Sequence, residues 1–67
     1  MITLQLDTTV DDELRASGPA HGVTVTVISD MMVRVTGTAA NLATWLFEHH
    51  TGDVGDVGHF LVNCQVR

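Results

Sequence analysis

The chain has 67 residues, of which 45% are hydrophobic and 16% charged, and its 8 acidic and 3 basic residues give a formal charge of −5. Three arginines without a lysine are too few cations to displace counterions from phosphates, which excludes nucleic acid and an anionic membrane surface as partners. The single cysteine, Cys64, excludes an internal disulfide, so we expect so small a domain to gain stability by oligomerisation.

The first predicted elements are a strand and a short helix. Apolar and polar residues alternate over residues 2–7, which predicts a half-buried strand. Residues 10–17 carry three carboxylates near their start and follow Thr8 and Thr9, a pattern that favours a capped helix of barely two turns. The Gly-Pro dipeptide at 18–19 is expected to end this helix.

Two further strands are predicted over residues 22–30 and 31–36, joined as a hairpin. A two-residue turn would place the valines of one strand on the polar face of the other. An odd turn of residues 29–31, often accompanied by a bulge and a positive φ, keeps all the valines on one face. The resulting pairs are Val25 with Val35 and Val27 with Val33.

The main predicted helix begins at its N-cap, Thr38, and ends at the Thr-Gly dipeptide 51–52. A spacing of 100° per residue places Trp45 and Phe47 on the two flanks of its core stripe. The residues of that stripe are Ala39, Leu42, Ala43 and Leu46.

Residues 52–58 are then expected to form a flexible connector. A last strand, residues 59–66, is expected to direct inward Phe60, Val62, Cys64 and Val66.

These elements give the order β-α-β-β-α-β, which predicts a single α+β domain over residues 1–67 with a ferredoxin-like fold. The first helix is very short, and the main helix covers one face of a four-stranded sheet. If the short helix does not form, the same sheet with one helix is the expected alternative. In both cases the second face of the sheet is left open.

The histidines are the first candidates for chemistry. Residue types that bind metals are present at His21, His49, His50, His59, Asp53, Asp56 and Cys64. Their spacing matches no zinc motif, and adjacent His49 and His50 diverge by about 100° on a helix. We therefore interpret these two histidines as favourable charges at a helix end and predict neither a metal nor a cofactor.

Catalytic residues are not indicated either, and we predict that the chain is not an enzyme. The strand phase places Cys64 in the core, where a thiol behaves as a small hydrophobe. The acidic residues 11–13 have the pattern of a solvated helix start. The glycines of residues 52–58 lack the lysine and the following helix of a phosphate-binding loop.

The open sheet face is the main candidate contact surface, because it is nearly uncharged and easily desolvated; a plain solvated face is the alternative interpretation. Trp45 is a second candidate, since tryptophan is enriched in binding hot spots; the alternative interpretation is that its ring seals the margin of the core. The predicted interface residues are Trp45, Phe47, Ile28, Met32, Leu61 and Arg34.

These observations predict a non-enzymatic protein-interaction module that forms a homodimer or binds a larger protein. The alternative is a small-molecule-binding regulatory domain, which rests on fold analogy alone. Abundant Thr, Val, Asp, Gly and Ala without Lys or Tyr is typical of GC-rich coding sequences, and indicates a bacterial or bacteriophage accessory protein. No membrane span or signal-peptide pattern is present, so we expect a cytoplasmic location.

Overall fold

Three strands and three helices make up residues 1–66, the part of the chain that the computed structural model describes. In chain order they are β1 (Ile2–Asp7), α1 (Asp12–His21), β2 (Thr24–Ser29), β3 (Met32–Gly37), α2 (Ala39–His49) and α3 (Val54–Asn63). The order is thus β-α-β-β-α-α. The predicted ferredoxin-like fold is wrong, and so is its four-stranded alternative with one helix, because the last element is a helix.

The sheet has the strand order β1-β3-β2, and both outer strands pair antiparallel with β3. β1 and β2 therefore run parallel to each other on either side of the central strand, and α1 connects them. This half of the molecule keeps the predicted crossover from the first strand to the second. The predicted second crossover is missing because no strand follows α2 within residues 1–66.

The hairpin register agrees with the prediction. Val25 lies opposite Val35 and Val27 lies opposite Val33, as the valine pattern requires. The extra residue occupies a different place, however. It lies in a bulge between Val27 and Ser29, and Ser29 itself pairs with Met32. The expected positive φ is not adopted, since every residue with a positive φ in the described part of the chain is a glycine outside this turn.

The core lies between the sheet and α2, with α1 and α3 at its sides. Its fully buried members are Leu4, Leu6, Val33, Val35, Leu42, Trp45 and Leu46. Of the predicted stripe on α2, Ala39 is exposed and Ala43 is only half-buried. Trp45 takes their place, so the buried face of the helix is rotated toward α1 relative to the predicted stripe.

α1 is longer than predicted because it continues through Gly18 and Pro19 to His21. Asp11, and not a threonine, is its N-cap and accepts a hydrogen bond from the Leu14 N–H at 2.8 Å. Pro19 removes one helical hydrogen bond, and it lies two residues before the last residue of α1. The helix ends at Gly22, whose φ of 68° is a left-handed conformation that favours glycine.

α3 replaces the predicted connector and most of the predicted last strand. Asp53 begins it as the N-cap, accepting hydrogen bonds from the backbone N–H groups of Gly55 and Asp56. Its inward residues follow the helical spacing i, i+3, i+4, i+7. They are Val57, Phe60, Leu61 and Cys64. Val62, which the strand prediction placed inside, is 72% exposed.

The residues after α3 return to the edge of β1. Gln65 forms an isolated antiparallel bridge with Leu4. The Gln5 N–H donates to the Cys64 carbonyl at 2.9 Å, and the Val66 N–H donates to the Thr3 carbonyl at 2.8 Å. Residues 64–66 are thus all that remains of the predicted last strand, and they cover part of the β1 edge. None of the helices in residues 1–66 has the length and hydropathy needed to cross a bilayer.

Candidate functional site

The face of the sheet opposite the helices carries polar side chains that bond to one another. Thr3 and Thr36 share a hydrogen bond of 2.8 Å between their hydroxyls, and the Arg34 Nε–H donates to the Gln5 amide oxygen at 3.1 Å. The Gln5 amide also lies 3.1 Å from the sulfur of Met32. No side chain on this face is buried, so in the single chain the face is in contact with solvent.

The outer edge of β2 is different from this face. Nothing in residues 1–66 pairs with it, because β2 is the last strand of the order β1-β3-β2. Alternate residues of an antiparallel edge strand direct their N–H and C=O groups outward, which makes such an edge a template for another strand. The strand has neither a charge nor a proline. Val27 is 40% and Ile28 48% exposed, so apolar side chains flank this open backbone edge.

Two of the predicted interface residues lie elsewhere than expected. Trp45 has no exposed surface and donates its indole N–H to the Ser17 hydroxyl at 2.7 Å. It therefore belongs to the core that joins α2 to α1. Leu61 lies on α3 and packs against the core, and not on the sheet face where a fourth strand would have placed it.

The other four predicted interface residues are separated over the molecule. Ile28 lies in the β2 bulge, whereas Met32 and Arg34 lie on β3 within the hydrogen-bonded polar face. Phe47 is 45% exposed on α2, in the helix layer. The structure does not unite these side chains in one patch. Only Ile28 lies on the open strand edge.

Three potential metal ligands meet where α1 and α2 end. The His21 Nε2 atom lies 3.0 Å from His49 Nε2 and 3.1 Å from a carboxylate oxygen of Glu48. These ligand atoms all lie within 4.8 Å of one another. The His21 side chain is 15% exposed and that of Glu48 is 54% exposed. The group is thus shielded on one side and accessible from solvent on the other.

Local helix structure positions these side chains. His21 is in the last turn of α1 and His49 is in the last turn of α2. The C-terminal ends of helices carry partial negative charge and favour a cation. The His21 and His49 rings meet edge to face with centroids 4.9 Å apart, and the His49 ring lies 6.2 Å from that of Trp45. Packing on the buried indole therefore helps to orient His49.

A cleft of about 340 Å³ lies beside this group and shares Glu48 and His49 with it. The remaining lining residues are Thr8, Thr9, Asp11, Glu13 and Leu14. Three of the lining residues carry carboxylates and none carries a fixed positive charge. The cleft therefore favours cations over anions, and it gives a small molecule or water access to His49.

The remaining titratable candidates lie apart from this group. His50 packs edge to face on Phe60 of α3, with ring centroids 4.7 Å apart. Burial lowers the pKa of His50 below its usual value of 6.5. Cys64 is half-buried against the core at the end of α3. His59 bonds to Asn63 on the exposed side of the same helix.

Sequence reasoning missed the His21–Glu48–His49 group because two of its members are 28 residues apart. Motif spacing detects ligands that share one helix or one loop, and these histidines lie on two helices. The available signal was incomplete: His49 lies near the end of the predicted main helix, but His21 lies beyond residues 10–17, the predicted first helix, and ends α1 only in the structure. Comparison of the chain with protein-family models, curated proteins and solved structures finds no match.

Proposed function

We propose that this chain is a non-enzymatic protein-interaction module that forms a homodimer through the outer edge of β2. The observation that carries the proposal is an unpaired edge strand without charge or proline, flanked by exposed Val27 and Ile28. Proteins usually protect such an edge with charges, prolines or covering segments. The opposite edge of the same sheet has a cover, residues 64–66.

A second copy fits this edge better than an unrelated partner because the strand is complementary to itself. Antiparallel pairing about a two-fold axis at Thr26 places Val25 of one copy opposite Val27 of the other. Side chains on one face of the sheet then lie beside side chains on the same face of the partner's sheet. Both helix layers lie on one face, and the two sheets join into one of six strands.

Charge and size support the same arrangement. Each copy has a formal charge of −5, yet the paired strands are neutral, so no like charges lie directly opposite each other across the new edge. With the axis at Thr26, Thr24 would lie opposite Ile28, which is in the bulge between Val27 and Ser29, so the regular pairing is limited to residues 25–27. A domain of this size gains from association, since it buries only about 60% of its unfolded surface alone.

Light scattering after size-exclusion chromatography, over a range of protein concentrations, tests the proposal. We expect a dimer for the unmodified chain. Thr26→Glu and Thr26→Lys each place two like charges opposite each other at the axis. Each should raise the dissociation constant at least about tenfold, which corresponds to about 1.4 kcal/mol. An equimolar mixture of the two variants should restore the dimer, because opposite charges then meet.

Thr44→Glu is the matched control, since Thr44 is exposed on α2, away from β2. It should dimerise like the unmodified chain. Circular dichroism checks that every variant is folded. A monomeric unmodified chain at its highest soluble concentration, or dimers that persist in Thr26→Glu, would overturn the proposal.

A cytoplasmic location, and a bacterial or bacteriophage origin inferred from composition, form part of the same proposal. The small-molecule alternative stays a prediction, for which the cleft beside His49 is the place to look. A thermal-shift screen with amino acids and nucleotides tests it, since a ligand that binds only the folded chain raises its melting temperature.

A further inference from the structure

We propose that His21, Glu48 and His49 bind a divalent transition-metal ion, with zinc as the best fit. The three side chains come from the ends of two helices, and their ligand atoms all lie within 4.8 Å of one another. This proposal does not depend on the β2 edge, because none of its residues belongs to that strand.

The first argument is the proton count between the three atoms. His21 Nε2 lies at hydrogen-bond distance from both His49 Nε2 and the Glu48 carboxylate. A neutral imidazole nitrogen either donates one proton or accepts one. If the His21 nitrogen donates to Glu48, the His49 nitrogen must direct its lone pair at the same proton. One hydrogen is then shared by two acceptors, whereas a cation satisfies all three lone pairs together.

The second argument is distance. Zinc bonds to histidine nitrogen at about 2.0–2.1 Å and to carboxylate oxygen at about 2.0–2.2 Å, so neighbouring ligand atoms of a tetrahedron lie roughly 3.3–3.5 Å apart. The separations of 3.0 and 3.1 Å from His21 Nε2 need to widen by only a few tenths of an ångström. The remaining pair is within 4.8 Å. Glu48 is half exposed, so its side chain has freedom to adjust.

The third argument is ligand chemistry. Two imidazoles and one carboxylate suit zinc better than calcium or magnesium, which prefer oxygen ligands alone. Three protein ligands leave a fourth position of the tetrahedron for water or another ligand. The adjoining cleft, with the carboxylates of Asp11 and Glu13, gives solvent access to the group and adds negative charge around it. The ends of α1 and α2 favour a cation there as well.

Metal-free protein, prepared with a chelator, tests the site by titration with zinc chloride in calorimetry and in thermal unfolding. We expect one zinc per chain. Because the ion links the end of α1 to the end of α2 and binds only the folded chain, the melting temperature should rise with zinc concentration. Cobalt as a probe should give the visible absorption of a four-coordinate ion.

His21→Ala and Glu48→Gln should each weaken zinc binding at least about tenfold, roughly 1.4 kcal/mol. Glu48→Gln keeps the size of an exposed side chain, so it separates loss of a ligand from loss of folding. His59→Ala is the matched control, since it removes a histidine from the exposed side of α3. It should bind zinc like the unmodified chain.

The proposal is overturned if zinc leaves the melting temperature of the unmodified chain unchanged. It is equally overturned if Glu48→Gln and His21→Ala, both folded by circular dichroism, bind zinc as tightly as His59→Ala does. Loss of binding in His59→Ala alone would place the ion elsewhere and also contradict the assignment.

Discussion

α2 and α3 lie side by side and have nearly the same length, 11 and 10 residues, but they are held very differently. α2 buries Leu42, Trp45 and Leu46 completely. α3 buries only Val57, while Val54 at its start is 77% exposed. Both helices are rich in apolar residues, so composition does not distinguish them. The difference shows that α2 is packed between the sheet and α1, whereas α3 contacts the rest of the fold through few buried side chains.

Of the substitutions that test this comparison, the replacement of Trp45 should reduce the free energy of unfolding most. Trp45→Ala removes a fully buried ring and its hydrogen bond to Ser17, and it should lower the free energy of unfolding by about 3–5 kcal/mol. Val57→Ala, the corresponding truncation in α3, should cost only about 1.5 kcal/mol. Urea unfolding followed by circular dichroism measures both. Equal costs would show that α3 is as firmly held as α2.

Two helical glycines give a smaller test. A Cβ at Gly18 in α1 would lie 2.8 Å from the Val23 carbonyl oxygen and 3.1 Å from a Val25 methyl group. Because a backbone atom has little freedom to move, Gly18→Ala should destabilise the fold by about 1–3 kcal/mol. At Gly58 in α3 a Cβ meets nothing within 4 Å. Gly58→Ala should therefore stabilise the helix by about 0.5–1 kcal/mol.

Melting temperatures of the two alanine variants, measured side by side, check this prediction. Their shifts should have opposite signs. A stabilised Gly18→Ala would show that α1 is not packed tightly on β2, and a destabilised Gly58→Ala would show that α3 is not a helix at that point.

The smallest expected effect concerns pH and the contact of α2 with α3. Burial lowers the pKa of His50 in the folded chain, so the unfolded chain binds the proton more readily. The stability from this group is complete above about pH 6.5 and is lost as the pH falls through the lowered folded pKa. Urea unfolding at about pH 7.5 and about pH 5 should show a smaller loss for His50→Gln than for the unmodified chain. An identical loss of stability in His50→Gln and in the unmodified chain would show that His50 does not cause the pH dependence.

Local patterns predicted the sheet better than the helix layer. Alternation identified β1, and the valine pairs identified the hairpin register, because a shift of one residue would expose a whole hydrophobic face. Residues 57–66 were misread because their apolar positions satisfy two periods. Phe60, Val62 and Cys64 alternate as in a strand, while Val57, Phe60, Leu61 and Cys64 have the spacing of a helix. The glycines at 55 and 58 then favoured a loop over a helix.

The candidate sites depended on contacts between elements, which sequence spacing does not contain. The open sheet face was predicted from alternation, but its hydrogen bonds, such as that of Arg34 with Gln5, appear only when neighbouring strands are aligned. The meeting of His21 with His49 required the packing angle of two helices. The deep burial of Trp45 likewise required α1 to pack against α2, which places Ser17 beside the indole.

The position of the single tryptophan has a practical consequence. Its indole is sealed from water and lies 6.2 Å from the imidazole of His49. Intrinsic fluorescence therefore responds both to unfolding, which moves the ring into water, and to any change of charge on its imidazole neighbour. Tryptophan fluorescence can therefore follow both the unfolding of the core and changes at the neighbouring histidine, without an added dye.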